Sequence, residues 1–266
     1  MKRRPPLQQG IPRLPGDSIR SQVVDLVFSD ILPTFGAAIL LSVMAFVEWQ
    51  ATIHHWSRHP LPYGIAALLA IAICIWRFMR AGPRIRALQL GRDGEISVAA
   101  MLDGLRASGA HVFHDIPLEK GNIDHVVLST KGLYAVETKT RSKPTGRRAE
   151  ISFQGASIAV DGFRPDRDPV DQVQRNVQAL KVILERTTKK QFEIKGVVLF
   201  PGWWIQPMDA AWIKADRPWV LNPAAFMKWV AGQRDSIPAP DLHLAATHLE
   251  QYVRNHTMVQ QAVAAQ

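Results

Sequence analysis

NIDHVVLSTKGLYAVETKT, residues 122–140, is the stretch on which the reading of this chain turns. Its two apolar runs, IDHVVLS and LYAVETK, are rich in β-branched and aromatic residues and flank the turn signal Thr-Lys-Gly, the pattern of a β-hairpin. Side chains alternate between faces along a strand, so Glu137 and Lys139, two apart, point the same way. Asp124, on the preceding strand, joins them only if the hairpin loop holds an even number of residues. A loop of residues 131–132 sets Asp124 opposite Lys139, and a loop of residues 129–132 sets it opposite Glu137; both registers stay open. An odd loop would turn Asp124 to the other face, the one expected to hold His125 in a structural role.

Outward from the hairpin the chain alternates helical and extended patterns. Before it, Ile96, Ala99, Ala100, Leu102 and Leu105 recur at helical spacing over 91–108, Gly109 supplies a stop, and HVFHDI (111–116) is a strand. After it, 151–155 and 157–162 predict a second strand pair around Gly155 and Ala156. Asp168 is then a candidate N-cap with Pro169 in the first turn, opening a helix striped by Val173, Val177, Leu180 and Leu184. A buried strand in 193–202 and helices near 223–233 and 240–253 follow. This order predicts an α/β fold, a mixed sheet flanked by helices.

The first third is different in kind. Residues 31–47 and 60–76 are two apolar runs without a charged residue, each about the minimum that spans a bilayer, so a transmembrane helical hairpin is expected. Of the 32 Lys and Arg, ten lie in residues 1–90 against four acids, so most of the net charge of +9 is a topology signal before it is a nucleic-acid one. Arginines and a lysine precede the first run (Lys2, Arg3, Arg4, Arg13, Arg20) and arginines follow the second (Arg77, Arg80, Arg84, Arg86), while the loop between holds Arg58 alone. The positive-inside bias therefore places both termini in the cytoplasm. His54, His55 and His59 with Trp49 and Trp56 mark an interfacial loop, and residues 1–20 a disordered tail. The single cysteine, Cys74, excludes an intramolecular disulfide or a cysteine metal cluster.

Two carboxylates and a lysine at one sheet end suit phosphodiester hydrolysis. Hard oxygens hold a divalent cation, which polarises the phosphoryl group and acidifies water, while an ammonium offsets developing charge. An isolated Asp…Glu-x-Lys match is equally the pattern of a cross-strand ion pair. The wider context is more specific: GRDGE (91–95), VFHDI (112–116) and the hairpin itself resemble the nuclease-related domain, a bacterial and archaeal branch of the PD-(D/E)xK phosphodiesterases. The resemblance covers residues 88–202 and implies a restriction-endonuclease-like fold. By it, Asp124 and Glu137 match metal-binding acids, Lys139 the catalytic lysine, and Glu95 an acidic position near the metal. Gln172 matches a glutamine of the following helix, and Thr138 would lend its main-chain carbonyl to the metal. Ile123 stands where the superfamily name has proline, which touches no ligand.

The resulting expectation is a tail (1–26), a transmembrane hairpin (27–82), a linker (83–90), a nuclease-related domain (91–205) and a C-terminal helical extension (206–266). The activity expected is a membrane-tethered nuclease using Mg2+ or Mn2+, acting on DNA in preference to RNA at the cytoplasmic face of a bacterial membrane. The alternative is a non-catalytic nuclease-fold module binding nucleic acid or a protein there. Arg141, Lys143, Arg147 and Arg148 could neutralise phosphates beside the site. His111 and His114 show no ligand pattern, and Trp203 and Trp204 suit a core cap better than base stacking.

Overall fold

Three antiparallel strands carry the hairpin sequence into the centre of a sheet. In the computed structural model, which describes residues 14–54, 60–143, 150–155 and 157–264, these are β1 (His111–Pro117), β2 (Asn122–Ser129) and β3 (Gly132–Thr138). Ser129 pairs with Gly132 and His125 with Val136, leaving Thr130 and Lys131 as a two-residue turn. The loop is even, and continuing its register by one pair sets Asp124 opposite Glu137, the second of the two registers left open. Gly132 takes φ 147°, and a β-carbon there would stand 2.6 Å from the Tyr134 hydroxyl, so the turn exit requires glycine.

Two further strands extend the sheet in parallel: β6 (Ile194–Leu199) beside β3, and β8 (Trp219–Leu221) beside β6, giving the order β1-β2-β3-β6-β8. The second strand pair, β4 (Glu150–Gln154) and β5 (Ser157–Val160), is antiparallel as expected, although Ala156 lies outside the described residues. It forms a separate small sheet with β7 (Trp204–Ile205). Helix α4 (Pro169–Thr188) begins as predicted, the Asp168 carboxylate accepting from the Val170 amide at 2.9 Å with Pro169 in the first turn.

On one side of the sheet, Val126, Leu128, Leu133 and Ala135 pack against Leu180 and Leu184 of α4 and Leu249 of the last helix, α7 (Ala239–Ala264). On the other, Val127, Tyr134 and Val136 meet Val98 and Leu102 of α3 (Pro60–Asp103) and Phe226 of α6 (Pro223–Ala231). A third cluster joins Ile151 and Ile158 to Phe200, Trp203 and Trp212, the last on the short helix α5 (Ala210–Lys214). Trp203 is thus core, as expected, while Trp204 is exposed. The segment after 205 is not a purely helical extension, because β8 completes the main sheet and α7 closes one face of it.

Contacts divide the chain into two units, Ser18–Leu90 and the remainder. In the first, α1 (Asp17–Leu26), one π-helical turn (Val27–Ile31) and α2 (Leu32–Ile53) run on without a break. Residues 83–90, expected as a linker, are helical: PRIRALQL continues α3, Pro83 being absorbed among strong helix formers at a cost of about 3 kcal/mol. A 3-10 turn (Gly104–Ser108) follows, and Gly109 at φ 84° ends it as predicted. Two helical runs, Asp17–Ile53 and Leu61–Ser108, are long and apolar enough to cross a membrane. Only 6% of the most apolar window of each is buried, which separates them from the core helices of a globular domain. Lys2, Arg3, Arg4, Arg13, His55, Trp56, Arg58 and His59 lie outside the described residues.

Candidate active site

The site forms at the carboxyl end of β3, where strand ends in open α/β sheets leave a crevice. Asp124 and Glu137 are 7% and 1% exposed. The Thr138 main-chain N–H donates to Asp124 Oδ2 at 2.8 Å, while the next amide, Lys139, donates to Leu199 O at 2.9 Å. Lys139 Nζ lies 2.7 Å from Glu137 Oε1 and donates to Gln172 Oε1 at 2.9 Å. The second oxygen of Glu137 accepts from Asn176 Nδ2 at 3.1 Å. Gln172 and Asn176, one turn apart on α4, thus hold Lys139 and Glu137 respectively.

Glu95 joins from α3, and Gly94 explains how the helix comes so close. A β-carbon at position 94 would stand 1.6 Å from Thr140 Oγ1, so only glycine lets the helix backbone meet the chain just beyond Lys139. The main chain of Gly16 hydrogen-bonds the Glu95 carboxylate. Arg141 and Lys143 are exposed beyond the strand, and Arg147 and Arg148 lie outside the described residues.

Sequence reasoning missed a fourth carboxylate. On β1, His114 pairs with His125 and Ile116 with Ile123, so Asp115 stands across from Asp124, yet that rung is not formed because Asp115 adopts φ 49°. Its side chain is buried and accepts from Asn122 Nδ2 at 2.7 Å. Aspartate tolerates left-handed backbone better than most residues, but nothing in an apolar strand sequence announces it.

Burial is the largest force raising Glu95, Asp124 and Glu137 above ordinary carboxylate values. Asp115 and Glu137 add to it at Glu95, which is pushed up to about 7 against the pull of Lys139. Glu137 and Glu95 add to it at Asp124, which lies well above its ordinary value. At Glu137 the upward push is opposed by Lys139, Asn176 and Arg175. The acids outnumber the one lysine among them. Among the described residues no three His, Cys, Asp or Glu side chains form a ready metal cage. Asp124 and Glu137 are hard oxygen donors in excess of the local positive charge, a chemistry that could hold a hard divalent cation such as Mg2+ or Mn2+.

The opposite face of the same strand end is neutral. His125 is fully buried and His114 nearly so, with their Nδ1 atoms 2.9 Å apart. His114 Nε2 lies 3.2 Å from Asp103 Oδ1, and His125 Nε2 lies 3.2 Å from Thr138 Oγ1. Burial drives His125 down to about 3 and lowers His114, so both rings are uncharged near neutrality. The contacts then fix the tautomers: His114 Nε2–H donates to Asp103, His125 Nδ1–H donates to His114 Nδ1, and His125 Nε2 accepts from the Thr138 hydroxyl. His125 has the structural role expected of it; His114, which showed no pattern in the sequence, is its partner.

Residues 90–201 match the family model described as nuclease-related domain, NERD. No curated protein and no solved structure matches the chain. The matched stretch holds all four acids, Lys139, Gln172 and Asn176, and α7 lies beyond it.

Proposed function

We propose that this nuclease-related domain is a divalent-metal-dependent nuclease that hydrolyses phosphodiester bonds, of DNA in preference to RNA. The observation that carries the reading is the convergence of Glu95, Asp124 and Glu137 around Lys139, four ionisable groups brought from three elements into one largely buried site. A purely structural ion pair needs one acid, whereas here three are buried together, burial raising all three and neighbouring acids adding to it at Glu95 and Asp124.

Asp124, Glu137 and the Thr138 carbonyl would hold Mg2+ or Mn2+, with Glu95 one water away. The cation would supply Lewis-acid polarisation of the phosphoryl group and a more acidic water. Thr138 N–H fixes Asp124, and Asn176 fixes Glu137, so both carboxylates are oriented before substrate arrives. Gln172 holds Lys139 Nζ at the rim, where an ammonium can orient water or meet charge building on a phosphoryl oxygen.

The two long apolar helices, unburied along their apolar windows, support a tether in a lipid bilayer, and the arginine distribution supports cytoplasmic termini and a cytoplasmic domain at a bacterial inner membrane. Purified full-length protein in detergent should cleave a polynucleotide with Mg2+ or Mn2+ and not with EDTA. Asp124→Ala and Lys139→Ala should each abolish cleavage; turnover surviving in both would overturn the assignment. The second reading, a non-catalytic nuclease-fold module at the membrane, draws on the absence of a three-side-chain cage among the described residues. Nucleic-acid binding without calorimetric Mg2+ binding or cleavage would establish it.

A further inference from the structure

A groove of about 900 Å³ opens beside the acidic site, and its lining separates it from the rest of the surface. Lys120, Arg167, Arg175 and Arg186 face it against one acid, Glu119. Gln172 and Asn176, which grip Lys139 and Glu137, are part of its wall, so groove and site are continuous. From Gln172 to Arg186 the wall follows one face of α4 for roughly 21 Å at the helical rise. A second cavity of about 710 Å³ on the same helix is close to balanced: Arg175, Lys181, Lys195 and Arg217 stand there against three acids, Asp171, Glu193 and Asp216.

The basic groove also holds an aromatic pair. Tyr252 and His256 of α7 lie with ring centroids 4.0 Å apart and planes 32° from parallel. Both are pinned: the Tyr252 hydroxyl donates to Pro117 O at 3.0 Å, and His256 Nδ1–H donates to Tyr252 O at 2.9 Å. Fixed rings beside a row of arginines form a stacking platform in a polyanion track, and a base offers its face for stacking only when it is unpaired. We infer that the groove along α4 binds a single-stranded polynucleotide and leads it into the acidic site, with phosphates on Arg167, Arg175 and Arg186 and a base on the Tyr252–His256 pair. This deepens the nuclease reading and rests on it for the direction of the strand, since the site is where the groove ends.

The test is fluorescence anisotropy of full-length protein in detergent, carrying Lys139→Ala to prevent turnover, with a labelled twelve-residue oligo-dT and with a duplex of the same length. Oligo-dT should bind at least tenfold more tightly. Arg186→Ala and Arg167→Ala should each weaken it and each reduce the slope of log affinity against log salt by about 0.7. Tyr252→Leu should weaken binding by roughly tenfold or more, while Tyr252→Phe, which keeps the ring and loses only the hydroxyl, should retain it. Lys181→Ala, on the nearly balanced cavity, should change nothing. Tighter duplex binding, an effect of Lys181→Ala equal to that of Arg186→Ala, or a Phe variant as weak as the Leu variant would overturn the proposal. Its failure is distinct from that of the nuclease reading: metal-dependent cleavage with unchanged KM in the Arg186 and Tyr252 variants defeats the groove alone. Loss of oligo-dT binding in those variants without any cleavage by the unmutated chain defeats the enzyme alone.

Discussion

The two faces of the β2–β3 hairpin end are equally buried and chemically opposite. One carries Asp124, Glu137 and Lys139, the other His125 and Thr138, and alternation along two strands is all that separates them. On the first face polar atoms are held in place while charge is left in surplus; on the second, every ring nitrogen has its partner and no charge remains. The difference teaches what each face contributes. A surplus of buried like charge costs stability, which the proposed cation would offset, whereas a satisfied neutral network holds the backbone in place.

Mutation should separate the two. Asp124→Ala should abolish cleavage, and Asp124→Asn should do so while raising the melting temperature at pH 7, since it removes a carboxylate that is buried and repelled by Glu137 and Glu95. A fall in melting temperature for the Asn variant would refute the surplus-charge account of that face. His125→Ala should act the other way round, costing about 2–4 kcal/mol in denaturant unfolding by opening a cavity and stranding His114, with activity lost only in proportion to folding. Gly94→Ala sits between them, because the helix must withdraw from Thr140. We expect about 1–3 kcal/mol of destabilisation together with a loss of metal affinity, read by calorimetry.

The pH dependence of stability sharpens the comparison further. Glu95 has its folded value raised from 4.5 to about 7, so the stability it lends is complete below 4.5 and lost as pH rises through 7. His125 is lowered from 6.5 to about 3, so its contribution is present above 6.5 and lost as pH falls toward 3. Between 4.5 and 6.5 these two slopes oppose, so the His125 contribution offsets that of Glu95 there. Glu95→Gln should tilt the curve toward greater stability at neutral pH, and His125→Gln toward greater stability in acid. Parallel curves for the two variants would show that neither group titrates as described. The smallest effect is at Asp115: Asp115→Asn, which keeps a residue tolerant of φ 49°, should be nearly neutral for stability, and Asp115→Ala should cost about 1 kcal/mol more.

Much of this site was legible before any coordinates, because strand parity is a property of sequence. The shared face of Asp124, Glu137 and Lys139 followed from spacing and an even turn, and the structure then selected one of two registers. Glu95 and Gln172 came from resemblance, and both stand beside the trio. Asp115 and His114 were hidden for different reasons. The first depends on a backbone angle that no pattern of apolar residues encodes, the second on a partner in another strand whose register had to be known first. At the larger scale residues 83–90, expected as a linker, continue helix α3. Strand β8 is three residues long, below what periodicity can register.

Helix α7 lies wholly past residue 201, outside the region matched as nuclease-related, yet it supplies the aromatic half of the groove. Under the proposed readings, cutting and gripping draw on different stretches of the chain. The acids and Lys139 lie inside the matched stretch, while Tyr252 and His256 sit on a helix whose Leu242, Ala245 and Leu249 are packed into the same core. Change at those two partly exposed positions, with the packed residues of the helix kept, is a route by which an unchanged chemical centre would come to accept a different strand.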